Sequence, residues 1–131
     1  YRNGYVIDDS YNASYESFKI GIEEIRDYFP RPYYAVVGAM KELGEHSRYY
    51  HEQLSKLLED FDGVIVLDKE EESVHINPPN VLFRSTSIDE ITNFVQTRIL
   101  IDNFSGTVYF KASHAVQLDQ VVDRILNLRE V

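Results

Sequence analysis

Tyr5-Val6-Ile7-Asp8-Asp9-Ser10-Tyr11-Asn12-Ala13-Ser14 reads as a short apolar strand that ends in two acids, passes through a polar turn and reaches a helix start. Open α/β sheets bind their ligands at the carboxyl ends of strands, beside helix N-termini that attract anions. Ser14 is the expected cap of the following helix, because its hydroxyl accepts from a first-turn N–H. Asp8 and Asp9 are then placed at a strand's carboxyl end, where a carboxylate suits the hydroxyls of a ribose or a metal ion. The alternative is that both acids only cap the turn.

Working outward, strand and helix patterns alternate. A first helix is predicted over 15–28, with Phe18, Ile22, Ile25 and Tyr28 at helical spacing on one face. Pro30 and Pro32 end it. Tyr34-Ala35-Val36-Val37 and Val64-Ile65-Val66-Leu67 are continuously apolar, as buried parallel strands are. Between them a helix over 47–60 is buried through Tyr50, Leu54, Leu57 and Leu58. Residues 68–80, with Glu70-Glu71-Glu72 and Pro78-Pro79, read as a solvated loop with room for one short strand. Val81-Leu82-Phe83 is the fourth strand. Ser87-Ile88-Asp89-Glu90 is a capping box, in which Ser87 and Glu90 each bond the other's backbone. It starts a helix with Ile88, Ile91, Val95 and Ile99 inward. Val108-Tyr109-Phe110 is the fifth strand, and Leu118, Val121, Val122, Ile125 and Leu128 form the stripe of a last helix. The alternation predicts an α/β fold: a doubly wound, mostly parallel, Rossmann-like sheet with helices on both faces.

The 131 residues fit one domain, 1–131, with no internal boundary. A hydrophobic share of 44% beside 27% charged residues indicates a globular chain, and no apolar run reaches the ~20 residues of a membrane span. A net charge of −9 argues against nucleic acid as a partner. The absence of Cys excludes disulfides and thiolate metal sites. His46 and His51 stand five apart, poor spacing for a metal on one helix face, and no metal ligands are assigned. The Tyr33-Tyr34 and Tyr49-Tyr50 pairs read as packing residues with wet hydroxyls. A start at Tyr1 predicts a segment cut from a longer protein.

Parallel strands put all their carboxyl ends on one rim. That rim collects Asp8, Asp9, Tyr11 and Asn12, then 38–46, Asp68, Ser85, and finally Lys111, Ser113 and His114. The mixture of acids, a lysine, hydroxyls and an amide suits a phosphorylated or nucleotide ligand. No Gly-x-x-x-x-Gly-Lys-Ser/Thr loop and no Gly-x-Gly-x-x-Gly turn is present, so the chain carries no phosphate cradle of its own.

Three segments together resemble the C-terminal domain of the Mur ligases: Asp8-Asp9-Ser10-Tyr11-Asn12-Ala13-Ser14, Val37-Gly38-Ala39-Met40-Lys41-Glu42-Leu43-Gly44-Glu45-His46, and Phe110-Lys111-Ala112-Ser113. The likeness runs from about Tyr5 to Ile125. It is nearest to the branch that adds D-alanyl-D-alanine to UDP-N-acetylmuramoyl-tripeptide. It implies a cytoplasmic, ATP-dependent amide ligase of peptidoglycan synthesis with three domains, acting through an acyl phosphate. In such an enzyme the central domain holds the P-loop and Mg2+, the N-terminal domain holds the UDP group, and the C-terminal domain closes over ATP. The resemblance implies that Asp9 binds the ATP ribose and that Tyr11 and Asn12 line the nucleotide cleft. It likewise implies that Glu42, Lys111, Ser113 and His114 face the incoming amino compound. It assigns no catalytic residue to this domain alone and implies no ligase turnover without the others. The sequence departs from the family wording at Ala39, where Asp is usual, at Ala112 and His114, where Gly and Arg are usual, and at Tyr15, where Pro is usual.

A second reading is a receiver-type phosphoacceptor domain, with Asp68 as acceptor and Asp8 and Asp9 holding magnesium. Lys69-Glu70-Glu71-Glu72 after Asp68 and the long interval between Asp9 and Asp68 speak against it.

Overall fold

The structure, a computed structural model, describes residues 3–11 and 13–130, with the side chains of residues 128–130 left outside the description. The apolar runs form strands β1 (Tyr5–Asp8), β2 (Tyr33–Val37), β3 (Gly63–Leu67), β4 (Val81–Ser85) and β5 (Thr107–Lys111). They pair only in parallel, in the order β1-β5-β2-β3-β4. The last strand is therefore inserted between the first two, with Ile7 and Ala35 flanking Tyr109 and Asp8 and Val36 flanking Phe110. No antiparallel strand occurs among the described residues.

Helices α1 (Tyr15–Tyr28), α2 (Ser47–Leu58), α3 (Ile88–Phe94) and α4 (Asp119–Glu130) cover the sheet. The chain steps from β1 to β2 to β3 in one direction, and right-handed crossovers place α1 and α2 on one face. The return from β4 to β5 reverses direction and puts α3 on the other face, where α4 joins it. Two apolar cores follow. Phe18, Ile22 and Ile25 of α1 and Leu54 and Leu58 of α2 bury against Ala35, Val37, Val64, Val66 and Tyr109. Ile91, Val95, Val121 and Ile125 bury against Val36, Ile65, Leu67, Val108 and Phe110. Each such Val, Leu, Ile or Phe side chain taken fully from water contributes about 1.5–3 kcal/mol.

Ser14 caps α1 as expected, accepting from the Ser17 N–H at 3.1 Å while Ser17 Oγ accepts from the Ser14 N–H. Ser87 likewise accepts from the Glu90 N–H. The reciprocal bond expected of Glu90 is absent: its carboxylate takes the Ser85 hydroxyl instead. Tyr28, expected in the core, is exposed, because the buried face of α1 ends one turn earlier at Ile25. The third helical pattern closes in a π-type turn, Val95–Ile99, that keeps Val95 and Ile99 inward. Leu128 lies outside the described side chains.

Residues 68–80 are not a merely solvated loop. They form a 3-10 turn, Glu71–His75, whose Ser73 and neighbouring Ile76 are buried. Lys41 Nζ reaches Glu70 at 3.2 Å and Glu72 at 3.0 Å. Tyr33 packs in the core, but its hydroxyl is not wet; it donates to the Phe29 carbonyl at 2.9 Å.

Candidate functional site

The carboxyl ends of β1, β5 and β2 lie side by side, and β5 leads to the opposite helix layer from its two neighbours. A crevice opens where adjacent strands part in this way. The acidic pair divides at its edge. Asp8 Oδ1 accepts from the Ser10 N–H at 3.1 Å and from the Ser10 hydroxyl, so Asp8 closes the turn. Asp9 has a different environment. Its N–H extends the β1–β5 ladder to the Phe110 carbonyl, and its carboxylate is 45% exposed.

Two residues of β5 hold that carboxylate by one oxygen. Lys111 Nζ lies 2.6 Å from Asp9 Oδ2, and the Tyr109 hydroxyl donates to the same oxygen at 2.9 Å. Lys111 is buried, with Nζ 5.6 Å from the centre of the Phe18 ring. Burial and the Asp9 charge push the Tyr109 phenol far above its ordinary pKa, so it stays a donor. Gly21 makes the contact possible: a Cβ there would stand 2.0 Å from the Tyr109 oxygen. Asp9, Ser17, Ile20, Gly21, Glu24 and Lys111 line a shallow groove beside α1.

The loops after β2 and β5 are tied together. Ser113 Oγ accepts from the Lys41 N–H at 2.8 Å, and the Ser113 N–H donates to the Ala39 carbonyl at 3.1 Å. His51, fully buried on α2, accepts from the Met40 N–H through Nε2 at 2.9 Å. Its Nδ1 therefore carries the proton and donates to the Ser47 carbonyl at 2.7 Å. Burial lowers the His51 pKa from its ordinary 6.5. The Lys41 pKa is raised, first by its bond to Glu72. Beyond this braced stretch Glu42 is exposed and adopts a φ of 65°, a left-handed conformation costly for a side chain with Cβ. Tyr11 and His114 stand exposed with ring centres 5.2 Å apart.

Of the expected site residues, Asp9, Tyr11, Glu42 and His114 present exposed surface on this rim, whereas Lys111 and Ser113 are turned to internal partners. Asn12 lies outside the described residues. Ala39 and Ala112 are both buried, and the Ala112 methyl would be 3.1 Å from a Cβ at Gly38. Those two departures from the family wording thus sit in the packed interior, whereas His114 is exposed and Tyr15, at the start of α1, is half-buried with its ring 5.7 Å from that of Tyr50.

The family model described as "Mur ligase, glutamate ligase domain" matches residues 1–104, well over half of the chain. The chain belongs to the Mur ligase family. The matched stretch ends just before β5, but relatives extend the likeness across it. A Mur ligase from Rickettsia prowazekii, UDP-N-acetylmuramoyl-tripeptide–D-alanyl-D-alanine ligase, is 26% identical over 93% of this chain. The crystal structure of MurF ligase from Thermotoga maritima in complex with ADP is 39% identical over 94% of it, with a TM-score of 0.83. A MurF structure from Acinetobacter baumannii, 19% identical with a TM-score of 0.69, shares the fold. The chain spans 27% of the Rickettsia protein and 28% of the Thermotoga chain.

Sheet order works against the receiver-type alternative. Asp68, after β3, is three strand spacings from β1, about 14 Å, too far to share one ion with Asp8 or Asp9. It pairs instead with Arg84 Nε at 3.3 Å.

Proposed function

We propose that this chain is the C-terminal domain of a three-domain, cytoplasmic, ATP-dependent amide ligase of peptidoglycan precursor synthesis. The reaction adds D-alanyl-D-alanine to UDP-N-acetylmuramoyl-tripeptide. A carboxylate oxygen of the tripeptide attacks the γ-phosphorus of ATP and ADP leaves; the dipeptide amine then attacks the acyl carbon, phosphate leaves, and the nitrogen gives up a proton. The observation that carries the reading is Asp9: a carboxylate at the carboxyl end of β1, half exposed, with Oδ2 engaged by Tyr109 and Lys111. The 39% identity to a MurF ligase whose structure contains ADP supports a nucleotide as its ligand.

In this reading Asp9 accepts from a ribose hydroxyl, Tyr11 and Asn12 line the nucleotide side of the cleft, and Glu42 and His114 meet the amino substrate. Lys111 and Ser113 act behind that surface. Magnesium bound with ATP supplies charge neutralisation at the transferred phosphoryl group. The family resemblance assigns that ion mainly to the central domain, and it takes no part in the steps assigned here.

Asp9→Asn tests the reading. Asn keeps an oxygen for Lys111, whereas Asp9→Ala would strand a buried ammonium. Titration of the chain with ADP, followed by backbone amide NMR, is expected to show weak binding centred on residues 9–11 and 17–24. Asp9→Asn should weaken it by ~10-fold or more, the loss of one charge-assisted hydrogen bond. An unchanged affinity for the variant overturns the ribose role.

A further inference from the structure

Lys111 reads from the sequence as a rim residue that faces the amino substrate, but its surroundings give it different work. It is 2% exposed, covered by the Phe18 ring, and meets Asp9 at 2.6 Å. Tyr109, fully buried and one pleat back on the same strand, reaches the same carboxylate oxygen. Successive side chains of a strand point to opposite faces, so residues 109 and 111 share a face and converge beneath α1. The phenol passes α1 at the one position of that helix without a side chain, Gly21, where a Cβ would come within 2.0 Å of its oxygen. Three separate features thus meet on Asp9 Oδ2: an ammonium, a hydroxyl and a helix aperture. Oδ1 takes no hydrogen bond from the described residues, and the carboxylate remains 45% exposed beside the groove.

We propose that Lys111 and Tyr109 are positioning residues that saturate one oxygen of Asp9 and so fix its other oxygen as a single directed acceptor for a sugar hydroxyl, with Gly21 the aperture that admits the phenol. This rests on the nucleotide reading above and adds to it which residues aim the carboxylate. A carboxylate on a surface turn samples several rotamers and accepts from water in each. Held by two donors at one end, it meets a cis-diol with its orientation already set, and less freedom is lost on binding. The recognition is polar and local, so its loss should appear as lost preference for a hydroxylated sugar and not as a general loss of nucleotide affinity.

The test measures two dissociation constants, for ADP and for 2′,3′-dideoxy-ADP, on the wild-type chain, on Asp9→Asn and on three further variants. The wild type is expected to favour ADP by ~10-fold, the size of one hydrogen bond to a charged acceptor. Tyr109→Phe removes only the hydroxyl and should reduce that ratio to ~3-fold or less. Lys111→Met should reduce it further, and Gly21→Ala, which displaces the phenol without touching its chemistry, should match Tyr109→Phe. Affinity for the dideoxy compound should stay within about 2-fold of wild type throughout, which a merely structural role would not produce. If Lys111→Met fails to fold, Tyr109→Phe and Gly21→Ala carry the test. A preserved ratio in Tyr109→Phe, together with a loss in Asp9→Asn, overturns the positioning role and leaves the ribose contact standing. A wild type that does not distinguish the two nucleotides overturns both.

Discussion

Acidification should loosen this protein through one histidine. His51 is fully buried and neutral, with Nε2 accepting from the Met40 N–H and Nδ1 donating to Ser47. Protonation would turn Nε2 from acceptor into donor and face it with another N–H. Burial is the main reason its pKa falls below 6.5; the Ser47 carbonyl and Glu72 oppose that shift, while His75 and Lys41 add to it. With the folded value below the unfolded one, the unfolded chain binds more protons between the two. Stability is then complete above pH 6.5 and is lost as the pH falls from there towards the folded value, at up to about 1.4 kcal/mol per pH unit for one proton. His51→Gln keeps an acceptor and a donor but does not titrate. It should cost about 1–3 kcal/mol at pH 7.5 through imperfect bonds, and its stability should fall less steeply than the wild type's between pH 6.5 and 5.5. Urea unfolding followed by circular dichroism at several pH values gives both curves, and His46 and His114, which do not act on His51, cancel in the difference. Parallel curves for wild type and variant would refute the reasoning.

Two smaller predictions concern the rim and the surface. Ser113→Ala leaves the Lys41 N–H without its acceptor and should destabilise by about 1–3 kcal/mol; faster hydrogen exchange at the Lys41 amide would localise the effect, and an unaltered rate would count against it. Asp60→Asn breaks exposed ion pairs with Arg26 and Arg31. It should cost less than about 1 kcal/mol, and the difference should vanish in ~1 M salt, where screening acts within about 3 Å.

Helix and strand identities were legible because each buried run carries its own period: Phe18, Ile22 and Ile25 at helical spacing, and Val64 to Leu67 apolar without a break. Neighbour relations were not. Nothing in Val108-Tyr109-Phe110 names its partners, although the wholly buried β5 and the half-exposed β1 carry a burial contrast that separates a central strand from an edge. At the site, position was readable and orientation was not. Asp8 and Asp9 are adjacent in sequence, yet one closes a turn and the other faces the groove. Lys111 sits at the expected end of β5, but neutralisation by Asp9 permits burial that a lysine rarely tolerates. The poor metal spacing of His51 says nothing of its structural role, although it shares the buried stripe of α2 with Leu54 and Leu58, at intervals of three and four. A histidine inside an apolar helical stripe was the available signal.

The insertion of β5 has a consequence for biogenesis. Asp9 and Lys111 are 102 residues apart, and among the described residues β1 pairs with β5 alone. On a nascent chain the first strand leaves the ribosome with its hydrogen-bonding edges open and waits until nearly the whole domain has been translated. Until then it is a target for chaperones and for pairing with the wrong chain.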